Sequence, residues 1–247
     1  MVIYPSVRLR GSRECLLLIH GYTGSPYEML YISEGINRRL GWTVWAPRLP
    51  GHAASREEFL RTGARDWLRG ARENLIDMMW GCDEVVIGGL SMGGIIATIL
   101  AVEFSLKKMI LYAPAFTTVY QKYVPLMKLM AVFKEYEMKK NPPPEEKDPI
   151  KEKLRREYWS YNFYRQGLEF FKLQRMGLGV MGRFDGKSLI VVSKEDRTVP
   201  MEVVDILEER LGGDKEFVIL EKSSHVVTVG EEKERVLKET LRFLEGS

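Results

Sequence analysis

A serine with glycine two residues to either side, Gly89-Leu90-Ser91-Met92-Gly93, stands between a short apolar run, Glu84–Ile87, and an apolar stretch of helical spacing, Ile95–Phe104. Strand, sharp turn and helix in that order would put the serine hydroxyl at an exposed apex. The crowded positions two before and two after it tolerate little beyond hydrogen. N–H groups opening the following helix carry partial positive charge, so an anion beside Ser91 would be favoured. Alone the pattern is weak, since chance gives on the order of 0.1 such matches at this glycine and serine content. A helix N-cap is the plain alternative for Ser91.

A serine hydroxyl is a poor nucleophile at neutral pH and needs a base, itself oriented by a carboxylate. The chain holds only three histidines, His20, His52 and His225. The apolar run Ser188–Val192 leads into Ser193-Lys194-Glu195-Asp196-Arg197, and Pro200 opens a helical pattern, Met201–Leu211, at a first-turn position. Asp196 lies where an acid should stand, with Glu195 its immediate rival. The run Glu216–Leu220 leads into Ser223-Ser224-His225, and His225 is the histidine that fits the base. His20-Gly21-Tyr22-Thr23-Gly24 follows the run Cys15–Ile19, the place from which a second oxyanion-binding N–H would come. The expected donors are the backbone N–H groups of Tyr22 and Met92. His20 and His52 read as structural histidines, His52 bracing a loop near the site.

The elements that must position these residues are short apolar runs alternating with helical patterns: Cys15–Ile19, Thr43–Ala46, Glu84–Ile87, Lys108–Tyr112, Ser188–Val192 and Glu216–Leu220. Continuous rather than alternating hydrophobicity implies strands covered on both faces, and the alternation with helices predicts a doubly wound, mostly parallel α/β sheet. One interval breaks the rhythm. Residues 115–180 carry 13 Lys and Arg against 8 Asp and Glu, and show no convincing strand. Met127, Met130 and Phe133 recur at helical spacing, Asn141–Pro144 is a break, and Glu145–Gln174 reads as a charged helix rich in aromatics. The expectation is a helical cap over residues 115–180, inserted into a core of residues 1–114 and 181–247. Its Met127, Met130 and Phe133 would line an apolar substrate pocket.

Composition narrows the classes. A net charge of +3 from 37 basic and 34 acidic residues is too balanced to imply nucleic acid, and no apolar run approaches the ~18 residues of a spanning helix. No cluster of His, Cys and carboxylates has metal spacing, so no metal is expected. The start of the chain lacks a basic, then apolar, secretory pattern, and Cys15 and Cys82 read as buried thiols suited to a reducing compartment, with a bridge or a reactive site as the alternative; the expected location is the cytoplasm. The basic charge of the insertion reads as a solvated face, with weak docking on anionic lipid as the alternative. Oligomeric state is not encoded legibly. Three Gln and four Asn against 71 formally charged side chains is a thermophile-like balance.

Four motifs in order, His20-Gly21-Tyr22-Thr23-Gly24, Gly89-Leu90-Ser91-Met92-Gly93-Gly94, Lys194-Glu195-Asp196 and Ser224-His225-Val226-Val227-Thr228, resemble the α/β-hydrolase superfamily. They are most similar to its thermophilic carboxylesterase and bacterial-type monoacylglycerol lipase group. The resemblance spans nearly the whole chain. It implies the α/β-hydrolase fold with a small cap after the sixth strand and cofactor-free hydrolysis of monoacylglycerols or short- to medium-chain esters. It also implies Ser91 as nucleophile, Asp196 as acid, His225 as base, and Tyr22 and Met92 as oxyanion donors. Ser224 stands where the group often has Gly, and the cap matches poorly. The same constellation serves thioesterases, peptidases, acyltransferases and cofactor-free haloperoxidases, and a non-catalytic ligand-binding protein could keep the fold.

Overall fold

The computed structural model describes residues 2–246. In chain order its strands are β1 (Val7–Leu9), β2 (Glu14–Ile19), β3 (Thr43–Ala46), β4 (Glu84–Leu90), β5 (Lys108–Tyr112), β6 (Tyr136–Met138), β7 (Tyr161–Phe163), β8 (Lys187–Ser193) and β9 (Asp214–Leu220). The helices are α1 (Tyr27–Leu40), α2 (Arg56–Leu60), α3 (Ala64–Met79), α4 (Met92–Glu103), α5 (Val124–Phe133), α6 (Pro149–Leu154), α7 (Tyr164–Val180), α8 (Glu202–Arg210) and α9 (Lys233–Glu245).

Seven strands form the main sheet in the order β1-β3-β2-β4-β5-β8-β9. All neighbours are parallel except the short edge pair β1–β3. The chain runs outward from β2 to β3, then returns to lay β4 on the other side of β2. The direction of winding therefore reverses between β2 and β4, and a crevice opens beyond their carboxyl ends, where α/β sheets take ligands. Ile19 pairs with Gly89 at that end, so the loop after β2 and the turn after β4 meet there.

Successive β2 residues go to opposite faces. Leu17 and Ile19 pack with Trp67, Leu75, Ile96, Leu100 and Leu207, contributed by α3, α4 and α8. Leu16 and Leu18 pack with Ile32, Ile36, Val236 and Leu244 of α1 and α9. Helices on both sides explain why these strands read as unbroken apolar runs. Helix α4 is buried along Met92–Ala101, consistent with a segment apolar on every side.

The inserted segment differs from the sequence reading in three ways. It leaves after β5, the fifth strand in chain order, rather than after a sixth, because five strands including the short β1 precede it among the described residues. It is not wholly helical: β6 and β7 pair antiparallel, Met138 opposite Tyr161 and Tyr136 opposite Phe163. The continuous helix expected over Glu145–Gln174 is broken into α6, a wide turn at Arg155–Trp159, β7 and α7. Strands of three residues are too short for a period-two signal, and aromatic spacing over 158–171 mimics a helix. The second half of α7 belongs with the core layer. A Cβ on Gly177 would lie 2.7 Å from Ile95 Cγ2, so glycine permits the close approach of α7 to α4.

A fourth difference concerns the cysteines. Cys15 and Cys82 form a disulfide, not two buried thiols. Cys15 begins the buried part of β2 and Cys82 lies two residues before β4, its neighbour in the sheet, which brings the Cα atoms to 6.0 Å. A bridge is uncommon in reducing compartments, so the cysteines no longer support a cytoplasmic location. No described helix is long and apolar enough to cross a membrane.

Candidate active site

Ser91 sits on the turn between β4 and α4 with φ +55° and ψ −113°, a left-handed conformation that a side chain rarely adopts. The turn is anchored by the Ser91 N–H donating to Tyr112 O of β5 at 2.8 Å. Its flanking glycines are required by contact. A Cβ on Gly89 would run into the Gly93 carbonyl, and one on Gly93 into the Ile19 carbonyl at the end of β2. Met92 is the first residue of α4, so its N–H is one of the donors a helix start leaves without an intrahelical partner.

His225 lies on the loop after β9 and Asp196 on the loop after β8. His225 Nδ1 and Asp196 Oδ2 are 2.7 Å apart, with the carboxylate side chain only 2% exposed. Asp196 Oδ1 accepts the backbone N–H groups of Thr198 and Val199 at 2.8 and 3.0 Å. Its second oxygen is thereby left to take the imidazole Nδ1–H, which presents Nε2 as the free base. Glu195, the rival acid, is exposed. Ser91 and His225 open onto the same cavity; among the described residues no hydrogen bond joins the Ser91 hydroxyl to the imidazole. The His225 loop is braced by Glu232, which the sequence reading did not single out. Its carboxylate accepts the N–H groups of Lys222 at 2.8 Å and Ser223 at 3.0 Å.

The loop after β2 is fixed by His20, which is fully buried. His20 Nε2 accepts the Leu49 N–H at 3.2 Å, so Nδ1 carries the proton and donates it to Gly21 O at 2.9 Å. Burial pushes its pKa down to about 4, so the ring is neutral. Gly21 O and Tyr22 N–H share one peptide plane and point opposite ways. Tying the carbonyl to His20 therefore turns the Tyr22 N–H away from His20. The Tyr22 ring anchors the loop, with centroids 5.6 Å from Phe59, 5.9 Å from Trp67 and 5.6 Å from Phe170. His52 packs edge-on to Phe59 and Trp67 and is held well below the usual imidazole range by burial and by His20. It braces the Leu49–Ala54 loop and does not line the cavity.

That cavity measures about 620 Å³ and lies between the strand ends and the inserted segment. Its walls are mainly apolar: Tyr22, Leu90, Met127, Tyr158, Phe170 and Phe171 among others. Of the three pocket residues expected from sequence, Met127 lines it, and Met130 and Phe133 do not. Helix α5 turns Met127 onto α7, against Gly167, whereas Phe133, at its last turn, is 73% exposed. The ionisable residues Glu28, Lys139 and His225 in the wall include two that helix and strand patterning had left unremarked. Tyr158 ties the insertion down, its hydroxyl accepting the Ala54 N–H at 3.0 Å. Among the described residues no group of three or more His, Cys, Asp or Glu is placed to hold a metal ion.

Relatives share this frame. A carboxylesterase of Bacillus subtilis (strain 168) is 24% identical over 243 residues, spanning 96% of this chain and 94% of that one. A thermostable monoacylglycerol lipase of Bacillus sp. (strain H-257) is 37% identical over 86 residues, 35% of this chain and 34% of its own. Among solved structures, one from work on two metagenome-derived lipolytic enzymes, LipS and LipT, superposes with a TM-score of 0.86 at 24% identity, covering 98% of both chains. The monoacylglycerol lipase of Paleococcus ferrophilus superposes at 0.75 with 17% identity over 97% of each. At these identities the superpositions show the fold. Residues 16–239 match the profile of the alpha/beta hydrolase family, and the chain belongs to that family.

Proposed function

We propose that the protein is a serine ester hydrolase acting on carboxylic esters, with monoacylglycerols or short- to medium-chain acyl esters as substrates. The observation that carries this reading is the 2.7 Å His225–Asp196 contact, on a histidine that opens onto the same apolar cavity as a serine held on a strained turn. In the reaction Ser91 Oγ attacks the ester carbonyl carbon while His225 Nε2 takes the hydroxyl proton. Asp196 keeps the imidazole oriented and stabilises the imidazolium. The carbonyl oxygen becomes an oxyanion between the N–H groups of Met92 and Tyr22; one such donor is worth ~3 kcal/mol. Collapse breaks the ester C–O bond, and the imidazolium gives its proton to the departing alcohol. Water, deprotonated by His225, then releases the acid and restores Ser91.

A cavity of about 620 Å³ with mainly apolar walls supports an acyl-chain substrate. The carboxylesterase and monoacylglycerol lipase relatives support the same class. The inserted segment acts as a cap, its α5, β7 and α7 supplying the acyl wall. Weak contact of that cap with anionic lipid is supported by exposed Leu126, Leu129, Val132 and Phe133 close in sequence to Lys122, Lys128 and Lys134. Turnover of monoacylglycerols of graded chain length, beside triacylglycerol, short p-nitrophenyl esters, acyl-CoA and amides, tests the reading. Ester cleavage with an optimum chain length is expected; turnover of amides or thioesters alone would replace it. Cosedimentation with anionic vesicles, weakened by salt, tests the lipid contact, and binding indifferent to salt and lipid charge contradicts it.

A further inference from the structure

Glu28 is a carboxylate in the wall of a mainly apolar cavity, and its place there is built. It stands in the first turn of α1 and folds back beneath the loop after β2 rather than out to solvent. Its Oε2 accepts the Gly21 N–H at 3.1 Å, so the side chain lies against the turn 21–24. The fit is close. A Cβ on Gly24 would run into both Glu28 oxygens, and one on Gly21 would lie 3.6 Å from Oε2 and 3.6 Å from Ser91 Cβ. Glu28 is therefore separated from the proposed nucleophile by the width of one glycine. Burial pushes its carboxyl up to about 7, against the opposing pull of the Gly21 N–H and of His225. A glutamate needed only to complement the helix start would be more stable solvated.

The consequence concerns peptide planes. His20 holds the Gly21 carbonyl at 2.9 Å and Glu28 holds the Gly21 N–H at 3.1 Å, so the two peptides flanking Gly21 are each tied down. The second of these planes carries the Tyr22 N–H. We infer that Glu28 is a positioning residue of the oxyanion-binding loop, its carboxylate clamping Gly21 so that the Tyr22 N–H is aimed at the oxygen on which charge develops. This rests on the ester-hydrolase reading above and extends it to a residue outside the Ser91, Asp196 and His225 set. The ionisable group acting on Glu28 is His225, which is backed by Asp196 on the loop after β8. The charged carboxylate is the stronger acceptor, so the clamp tightens as Glu28 loses its proton.

The test compares Glu28→Ala and Glu28→Gln with the wild type in ester turnover, with thermal unfolding recorded for each and organophosphonate labelling of Ser91 run in parallel. A misaimed donor should cost less than a deleted one, so Glu28→Ala is expected to lower kcat about 10- to 100-fold with KM changed less than about threefold. Glu28→Gln keeps one acceptor for Gly21 and should recover most of that loss. Its kcat should also fall less steeply than that of the wild type as pH drops through about 7. A folded Glu28→Ala protein with wild-type kcat overturns the inference, as does a Gln variant no better than Ala, or wild-type and Gln pH profiles that coincide. Labelling of Ser91 in the wild type, lost in Ser91→Ala together with turnover, keeps the ester-hydrolase reading standing in any of those cases. Absence of labelling with ester turnover intact in Ser91→Ala is instead the failure of that reading.

Discussion

Breaking the Cys15–Cys82 bridge should destabilise the protein without touching its chemistry. The bridge closes a loop of sequence separation 67. In the chain-entropy account, opening such a loop frees the unfolded state by about 15 cal/mol/K, or about 4 kcal/mol at 25 °C. A chain of 247 residues unfolds with an entropy of about 0.5 kcal/mol/K, so this corresponds to a fall in Tm of about 8 °C. The bridge also sits at the amino ends of β2 and β4, whereas Ser91, Asp196 and His225 follow carboxyl ends, so kcat at 25 °C should be unchanged. The native register there keeps other ties, the Asp83 N–H to Arg13 O at 2.8 Å and the Arg13–Asp83 ion pair, so strand pairing should survive reduction. Cys82→Ser is the cleaner variant because Cys15 is 1% exposed and Cys82 only partly buried. The assay is calorimetry of wild type, reduced wild type and Cys82→Ser, with thiol titration in denaturant. Two free thiols in the unreduced protein, or a Tm for Cys82→Ser within about 2 °C of the oxidised wild type, would refute the reasoning.

Three other outcomes follow from particular contacts. Tyr158→Phe removes the acceptor of the buried Ala54 N–H and should cost about 1–3 kcal/mol in urea denaturation, because the donor is left unpaired. Asp196→Asn keeps the side-chain volume but offers an amide where the imidazole Nδ1–H needs a carboxylate; kcat should fall by about 10³- to 10⁴-fold in an ester assay while the fold, read by circular dichroism, persists. Acid stability should show opposed contributions. His20, at about 4 in the folded chain against 6.5 unfolded, binds fewer protons folded than unfolded, so its stabilisation is present above pH 6.5 and lost toward pH 4, on the order of 3 kcal/mol. Glu28, raised to about 7, binds more protons folded and adds stability as pH falls from 7 toward 4.5. Denaturation midpoints measured from pH 4 to 7 should therefore drop more steeply in Glu28→Gln than in wild type, and a parallel pair of curves would contradict the assignment.

What could be read from the sequence was local. The turn at Ser91 is encoded by glycines within two residues, and the strands around it by continuous apolar runs, so both were legible before any coordinates. Asp196 and His225 follow strands whose runs are equally plain, and the order of those strands along the chain sufficed to nominate them. The partnership of Cys15 with Cys82 was not legible, because it depends on β4 lying beside β2, and β3 intervenes in the chain. Phe133 shares a helical stripe with Met127, yet α5 meets α7 only over part of its length, so spacing overstated the buried face. The ribbon of β6 and β7 is too short to leave a period. Glu28 was hidden for a different reason: a glutamate in the first turn of a helix is ordinary, and only the folding of the 20–24 loop over it makes it part of the site.

The central claim is that Ser91 forms the acyl-enzyme. Intact-mass and peptide mass spectrometry after treatment with an organophosphonate tests it most directly, with ester turnover measured on the same samples. The account predicts a single adduct, on Ser91, with turnover lost in proportion to labelling, and neither adduct nor turnover in Ser91→Ala. Labelling that persists in Ser91→Ala, or ester turnover that survives the substitution, would contradict it.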